Sequence, residues 1–159
     1  VILVGEMRDT ETMSLAISAS ETGHLVFGTL STTTATATVD RIINAFPPGQ
    51  QGQIRAMVSE SLKAVISQTL LPRRGGVGRI AAFEILRGTS AVGALIREAK
   101  TFQLPGILQT GQLSGMNTMD QYLLKLAEER KVDASAAMDR AVKKEPFEKL
   151  AAEERLEDA

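Results

Sequence analysis

Val1-Ile-Leu-Val4 is an unbroken apolar run closed by Gly5 and Glu6. A run so short and continuous suits a strand buried in a parallel sheet. Parallel strands cannot be joined by a tight turn, so a crossover must follow. The sequence supplies one. Asp9 or Thr10 can cap a helix that carries Met13, Ala16 and Ile17 on one face, and Gly23 stands where such a helix would stop. His24 to Leu30 then reads as the next strand. Strand, helix, strand is a βαβ unit with parallel strands and a right-handed crossover. It sets Gly5 and Glu6 at the carboxyl end of a strand, the edge at which open α/β sheets bind ligands. A central strand needs a neighbour on each side to pair its backbone groups, so these residues read as one part of a larger sheet.

Beyond a threonine-rich turn, Val39, Ile42, Ile43 and Phe46 recur at helical spacing as far as Pro47-Pro48. Ile54, Met57, Val58 and Leu62 repeat the pattern in a second helix. Apolar runs around Ala64 to Leu71 and Ile80 to Leu86 are joined by Pro72 to Arg79, which contains Gly75-Gly-Val-Gly78. That arrangement predicts an antiparallel hairpin added to the edge of the sheet. From Ser90 onward the pattern is helical. Val92, Leu95, Ile96 and Ala99 form one stripe, and Met119, Tyr122, Leu123, Leu126 and Ala127 another, with Gly106, Gly111 and Gly115 between them. A weaker stripe with Met138, Ala141 and Val142 follows Asp133. From Lys143 the chain is mostly charged residues and alanine with Phe147, Leu150 and Leu156 sparsely placed, the pattern of a solvated helix or frayed tail. The expected division is residues 1–88, 89–143 and 144–159.

Composition narrows the function classes. The 159 residues amount to about one domain. A net charge of -1 argues against a nucleic-acid partner held by bulk positive charge. Without cysteine the chain forms neither disulfides nor cysteine-ligated zinc, which fits a reducing cytoplasm. His24 is the single histidine, so no multi-histidine metal site can form. No apolar run approaches the roughly 18 residues of a membrane span. The phosphate-cradling pattern Gly-x-x-x-x-Gly-Lys-Ser/Thr does not occur, and Gly75-Gly-Val-Gly78 lacks the Lys-Ser/Thr that would complete it.

Gly5-Glu-Met-Arg-Asp9 is followed one helix later by Glu21-Thr-Gly-His-Leu-Val-Phe-Gly-Thr-Leu30. Further along come Ser59-Glu-Ser-Leu-Lys-Ala-Val-Ile-Ser-Gln-Thr-Leu70, Leu95-Ile-Arg-Glu98 and Gly115-Met-Asn-Thr-Met-Asp120. In this order the motifs resemble those of the PilT family, the type IV pilus retraction ATPases of twitching motility, from Val1 to about Val132. The resemblance implies an α/β fold: residues 1–88 as the carboxyl-terminal part of a RecA-like P-loop NTPase core, parallel strands plus an antiparallel hairpin, followed by a helical bundle. It also implies a hexameric motor that uses ATP and Mg²⁺, neither of which this chain alone should bind tightly. The hexamer would hold copies of one chain or include a paralogue, and would work in the cytoplasm against a pilus assembly platform of the inner membrane.

The same resemblance assigns residues. Glu6 falls at the acidic end of the Walker B strand, where a carboxylate can hold a metal's water shell or orient the attacking water. Arg8, His24 and Ser31 fall at positions of nucleotide or subunit contact. His24 also reads as an ordinary hydrogen-bonded residue at a strand start, and Asp9 as the helix cap. Where the family usually has Thr-Leu-His-Thr this chain has Thr29-Leu-Ser-Thr32, and a serine donates one hydrogen bond but carries no charge. Leu95, Ile96, Arg97 and Glu98 resemble the second half of a helix motif associated with retraction, while Gly93 and Ala94 depart from its first half. Arg97 and Glu98 read equally as a solvated charge pair. The extension and secretion ATPases often carry a cysteine-built zinc module near the hairpin, which a chain without cysteine cannot build. The retraction branch is therefore expected, with a noncatalytic ring subunit or a type II secretion or pilus-extension ATPase as alternatives.

Overall fold

The structure is a computed structural model that describes residues 1–157, with side-chain burial described through Leu156. β1 (Ile2–Val4), α1 (Thr10–Glu21) and β2 (Val26–Gly28) form the expected βαβ unit, and the strands pair in parallel with Ile2 opposite Val26 and Val4 opposite Gly28. Asp9 is the cap of α1: its carboxylate accepts from the Thr12 amide at 2.7 Å and the Thr12 hydroxyl at 3.0 Å. α1 buries Met13, Ala16 and Ile17. The strands differ from expectation in cover. Leu3 is 78% exposed and Phe27 54%: the two are register partners on one face of the pair, and the described residues leave that face largely uncovered. The second strand is also shorter than His24 to Leu30.

α2 (Ala35–Asn44) starts at the Thr34 cap and buries Val39, Ile42 and Ile43. Pro47 and Pro48 do more than end it. Pro48 occupies the first turn of α3 (Pro48–Ser61), where a missing N–H costs nothing and the fixed φ suits the helix. β3 (Ala64–Pro72) and β4 (Arg79–Arg87) form an antiparallel pair in register from Ala64 opposite Arg87 to Pro72 opposite Arg79. Gly75, Gly76 and Gly78 take positive φ in the turn, a conformation open to glycine at little cost. The hairpin does not extend the β1–β2 sheet; it is a separate two-stranded sheet.

That hairpin lies at the junction of two apolar clusters. Val65 and Leu86 join the first, with α1, α2, α3, α4 (Ser90–Arg97) and α5 (Leu104–Thr110). Leu71 and Ala82, at the other end of the hairpin's buried face, join the second with α6 (Met119–Glu128), α7 (Ala134–Arg140) and α8 (Glu145–Glu157). Gly88 and Gly93 are required by close approach. A Cβ on Gly88 would lie 1.8 Å from the Leu62 carbonyl oxygen, and one on Gly93 would lie 2.7 Å from that of Ser59, so α4 packs directly on α3.

Two helical expectations change. Ala99 is exposed with φ +58°, just past the end of α4, and does not share the stripe of Val92 and Ile96. The charged tail is a docked helix: Phe147 is wholly buried and Ala151 nearly so against Leu123, Leu126 and Val132. Sparse apolar residues suffice here because polar anchors accompany them. Glu154 accepts from the Ala134 amide at 2.9 Å and from the Arg74 guanidinium at 2.9 Å, and Asp120 accepts from the Val142 and Lys143 amides at 2.9 Å each. Residues 158 and 159, the end of the expected tail, lie outside the described residues.

Candidate functional site

Glu6 and Ser31 follow the carboxyl ends of β1 and β2, and the parallel register brings them together. Their segments are joined by two further bonds: the Met7 amide donates to the Thr29 carbonyl at 2.9 Å, and the Thr29 hydroxyl donates to the Gly5 carbonyl. Ser31 Oγ donates to Glu6 Oε1 at 2.9 Å. Arg8 Nη2 pairs with Glu6 Oε2 at 2.6 Å. The Arg8 guanidinium first, and the Ser31 hydroxyl second, hold the Glu6 carboxyl below the usual carboxylate range. Glu6 in turn raises the Arg8 pKa. The Glu6 side chain remains 33% exposed and Arg8 78% exposed, so the cluster is an open carboxylate flanked by one hydroxyl and one exposed cation. Such a carboxylate can accept a proton or hold a cation's water shell.

His24 stands elsewhere. It precedes β2, at the amino end of the sheet, opposite to Ser31. Its Nδ1 lies 3.2 Å from Thr22 Oγ1 and 3.3 Å from the Ala19 carbonyl, contacts that close the end of α1. Glu6, Arg8 and Ser31 thus converge, and His24 does not join them.

The second group lies on α4. Ile96 is buried, Leu95 half-buried, and Arg97 and Glu98 are exposed. Arg97 and Glu98 are not a pair. Arg97 Nε and Nη2 donate to Ser59 Oγ at 3.3 and 3.2 Å, a contact permitted by Gly93, while Glu98 binds Lys100 at 2.8 Å. The Lys100 ammonium keeps the Glu98 carboxyl below its ordinary value. Leu95 and Glu98 also line an open groove of about 730 Å³ with Phe102, Gln103 and Ile107. Phe102 is 73% exposed and escapes pattern reading because it falls in a short 3-10 turn with no periodicity to mark it.

Parallel strands with a carboxylate at their carboxyl edge, a detached hairpin and a helical bundle define a partial RecA-like core. Residues 1–132 match the type II/IV secretion system protein family, and the chain belongs to that family. Its branch is the PilT family. The chain is 57% identical over 141 residues to the twitching motility protein of Neisseria gonorrhoeae, covering 89% of this chain and 38% of that one. It is 50% identical over 147 residues to the type IV pilus retraction ATPase PilT of Pseudomonas aeruginosa, covering 92% of this chain and 42% of that one. The crystal structure of the pilus retraction motor PilT with bound ADP superposes with a TM-score of 0.81 at 43% identity, over 93% of this chain and 41% of that one. The chain therefore spans about two fifths of the length of these relatives. No helix among the described residues is long and apolar enough to cross a membrane.

Proposed function

We propose that these residues are part of an ATP-driven motor that retracts type IV pili, with residues 1–88 the carboxyl-terminal part of its RecA-like core. The observation that carries the proposal is Glu6, held by Ser31 and Arg8 beyond the carboxyl ends of two parallel strands. The relatives' names support the mechanical role, since one is a twitching motility protein and another a retraction ATPase. The motor is a hexameric ring of one chain, or of this chain and a paralogue, acting in the cytoplasm against a pilus assembly platform at the inner membrane.

The residues fit only part of a nucleotide site. No loop of the P-loop pattern lies in this sequence, so these residues do not supply a phosphate cradle of that kind. Glu6 is the carboxylate of the cluster, and it would hold Mg²⁺ through a water. Mg²⁺, when bound, neutralises phosphate charge. Glu6 keeps its negative charge because Arg8 and Ser31 lower its pKa, and as a carboxylate it can align a water. Arg8 supplies planar donors that can turn from Glu6 to a phosphate or a neighbouring subunit.

Phosphate release by the complete protein tests this. Glu6→Gln should abolish turnover, while the 159-residue chain alone should show none above background. Wild-type turnover in Glu6→Gln refutes the assignment. Ser31 favours a second reading, a noncatalytic subunit beside an active paralogue, since its hydroxyl occupies one Glu6 oxygen without adding charge. Ring activity unchanged by Glu6→Gln in this subunit, yet lost by the paralogue's equivalent change, would support that reading.

A further inference from the structure

Glu84 is a buried carboxylate outside the cluster just described. It is 7% exposed and lies on the covered face of β4 opposite Ser67, itself 5% exposed, between the two apolar clusters. Oε1 accepts from the Ala35 amide at 2.8 Å and Oε2 from the Met119 amide at 3.2 Å. Ala35 opens α2 and Met119 opens α6. Each helix end carries partial positive charge and amides without intrahelical partners, so two such ends at one buried point would repel. A single carboxylate satisfies both, and fixes the two helix ends relative to each other.

The link to Ala35 reaches the candidate site. Ser31 sits in the short connection between Thr29 and Ala35. At one end Thr29 is bonded to Met7 and Gly5; at the other Ala35 is bonded to Glu84. Within that connection Thr32 Oγ1 lies 2.7 Å from Thr38 Oγ1 on α2, which ties the residue after Ser31 to the helix. A shift of the α2 amino terminus is therefore carried through Thr32 to Ser31, whose Oγ lies 2.9 Å from Glu6. The other link runs outward. Asp120, next to Met119, holds the Val142 and Lys143 amides that lead into α8.

We propose that Glu84 is a positioning residue that sets Ser31 against Glu6 and couples that loop to α6 and the tail helices. Its effect on turnover rests on the function proposed above; its structural link does not. Glu84 acts through Ala35 and never touches the reacting atoms.

The test uses the complete protein carrying Glu84→Gln. The amide retains one acceptor but turns an NH₂ group toward the other helix amide, so one link breaks with the shape kept. Ala35→Pro removes the N–H that Oε1 accepts, at the cost of two ring carbons added at a buried position. Proline suits the first helical position, and Thr34 already has the extended backbone that precedes it, at φ -133° and ψ 157°. Ala35→Pro should lower kcat about tenfold with KM nearly unchanged, on the scale expected for a sub-ångström misplacement. Adding Ser31→Ala should cost no more. Hydrogen exchange should quicken at residues 30–36 in Ala35→Pro, and at either 30–36 or 117–121 in Glu84→Gln, with α3 unaffected. Wild-type kcat and exchange in both variants, or an added loss with Ser31→Ala, overturns the proposal. If the wild type itself hydrolyses no ATP, the proposed function fails, and exchange alone decides the link: faster exchange at those loops upholds it and wild-type exchange refutes it.

Discussion

Removing the ring of Phe147 separates a docked tail from a solvated one. Phe147 has no exposed surface and packs in the cluster of Leu71, Leu123, Leu126 and Val132. Burying such a side chain contributes about 1.5–3 kcal/mol, and the cavity left by truncation raises the cost of Phe147→Ala to about 3–5 kcal/mol. The lower figure raises the open fraction of α8 roughly a hundredfold, since about 1.4 kcal/mol is a factor of ten. The two anchors of Glu154 remain, so the helix should loosen before the rest of the chain unfolds. Urea unfolding of the purified chain gives the global cost, and hydrogen exchange at Leu150 and Ala151 gives the local one. Leu156→Ala is the control: the side chain is 80% exposed, and its loss should change stability by less than about 0.5 kcal/mol. A Phe147→Ala effect as small as the control's would refute the docked arrangement.

Gly88→Ala should destabilise the chain by about 1–3 kcal/mol in the same unfolding experiment, because its Cβ would meet the Leu62 carbonyl and neither backbone can yield cheaply. NMR titration should find the Glu6 carboxyl ionising below the usual carboxylate range, and Arg8→Ala should raise its midpoint. The sign follows from linkage: a depressed folded-state pKa gives a contribution present above the unfolded value, lost as pH falls through the folded one. In the complete protein, Ser31→His should raise ATPase activity or nucleotide affinity, and unchanged steady-state kinetics would show that Ser31 does not sense nucleotide. Arg97→Ala with Glu98→Ala should spare the fold and most hydrolysis but impair twitching, since both side chains are exposed and their bonds among the described residues go to Ser59 and Lys100; normal twitching would make them ordinary surface charges.

Much of the architecture is written in local pattern. The βαβ order, the Asp9 cap, the hairpin with its glycine turn and the stripe of Leu123, Leu126 and Ala127 follow from periods and residue types that act over a few residues. Glu6 is legible for the same reason, as a carboxylate placed by strand length, whereas Ser31 is singled out only by the family resemblance, at a position where a histidine is usual. What the sequence does not display is pairing between distant segments. Glu84 lies 49 positions from Ala35 and 35 from Met119, and in the sequence it is one charged residue inside a strand. His24 stands near Ser31 in sequence, yet the direction of β2 carries the two to opposite ends of the sheet. The hairpin's separation from β1 and β2, and the docking of a charged tail through Phe147, depend on which faces meet. Periodicity sets the local shape of each element, while backbone amides and apolar surface left over after those elements form are satisfied only by partners that tertiary structure brings near.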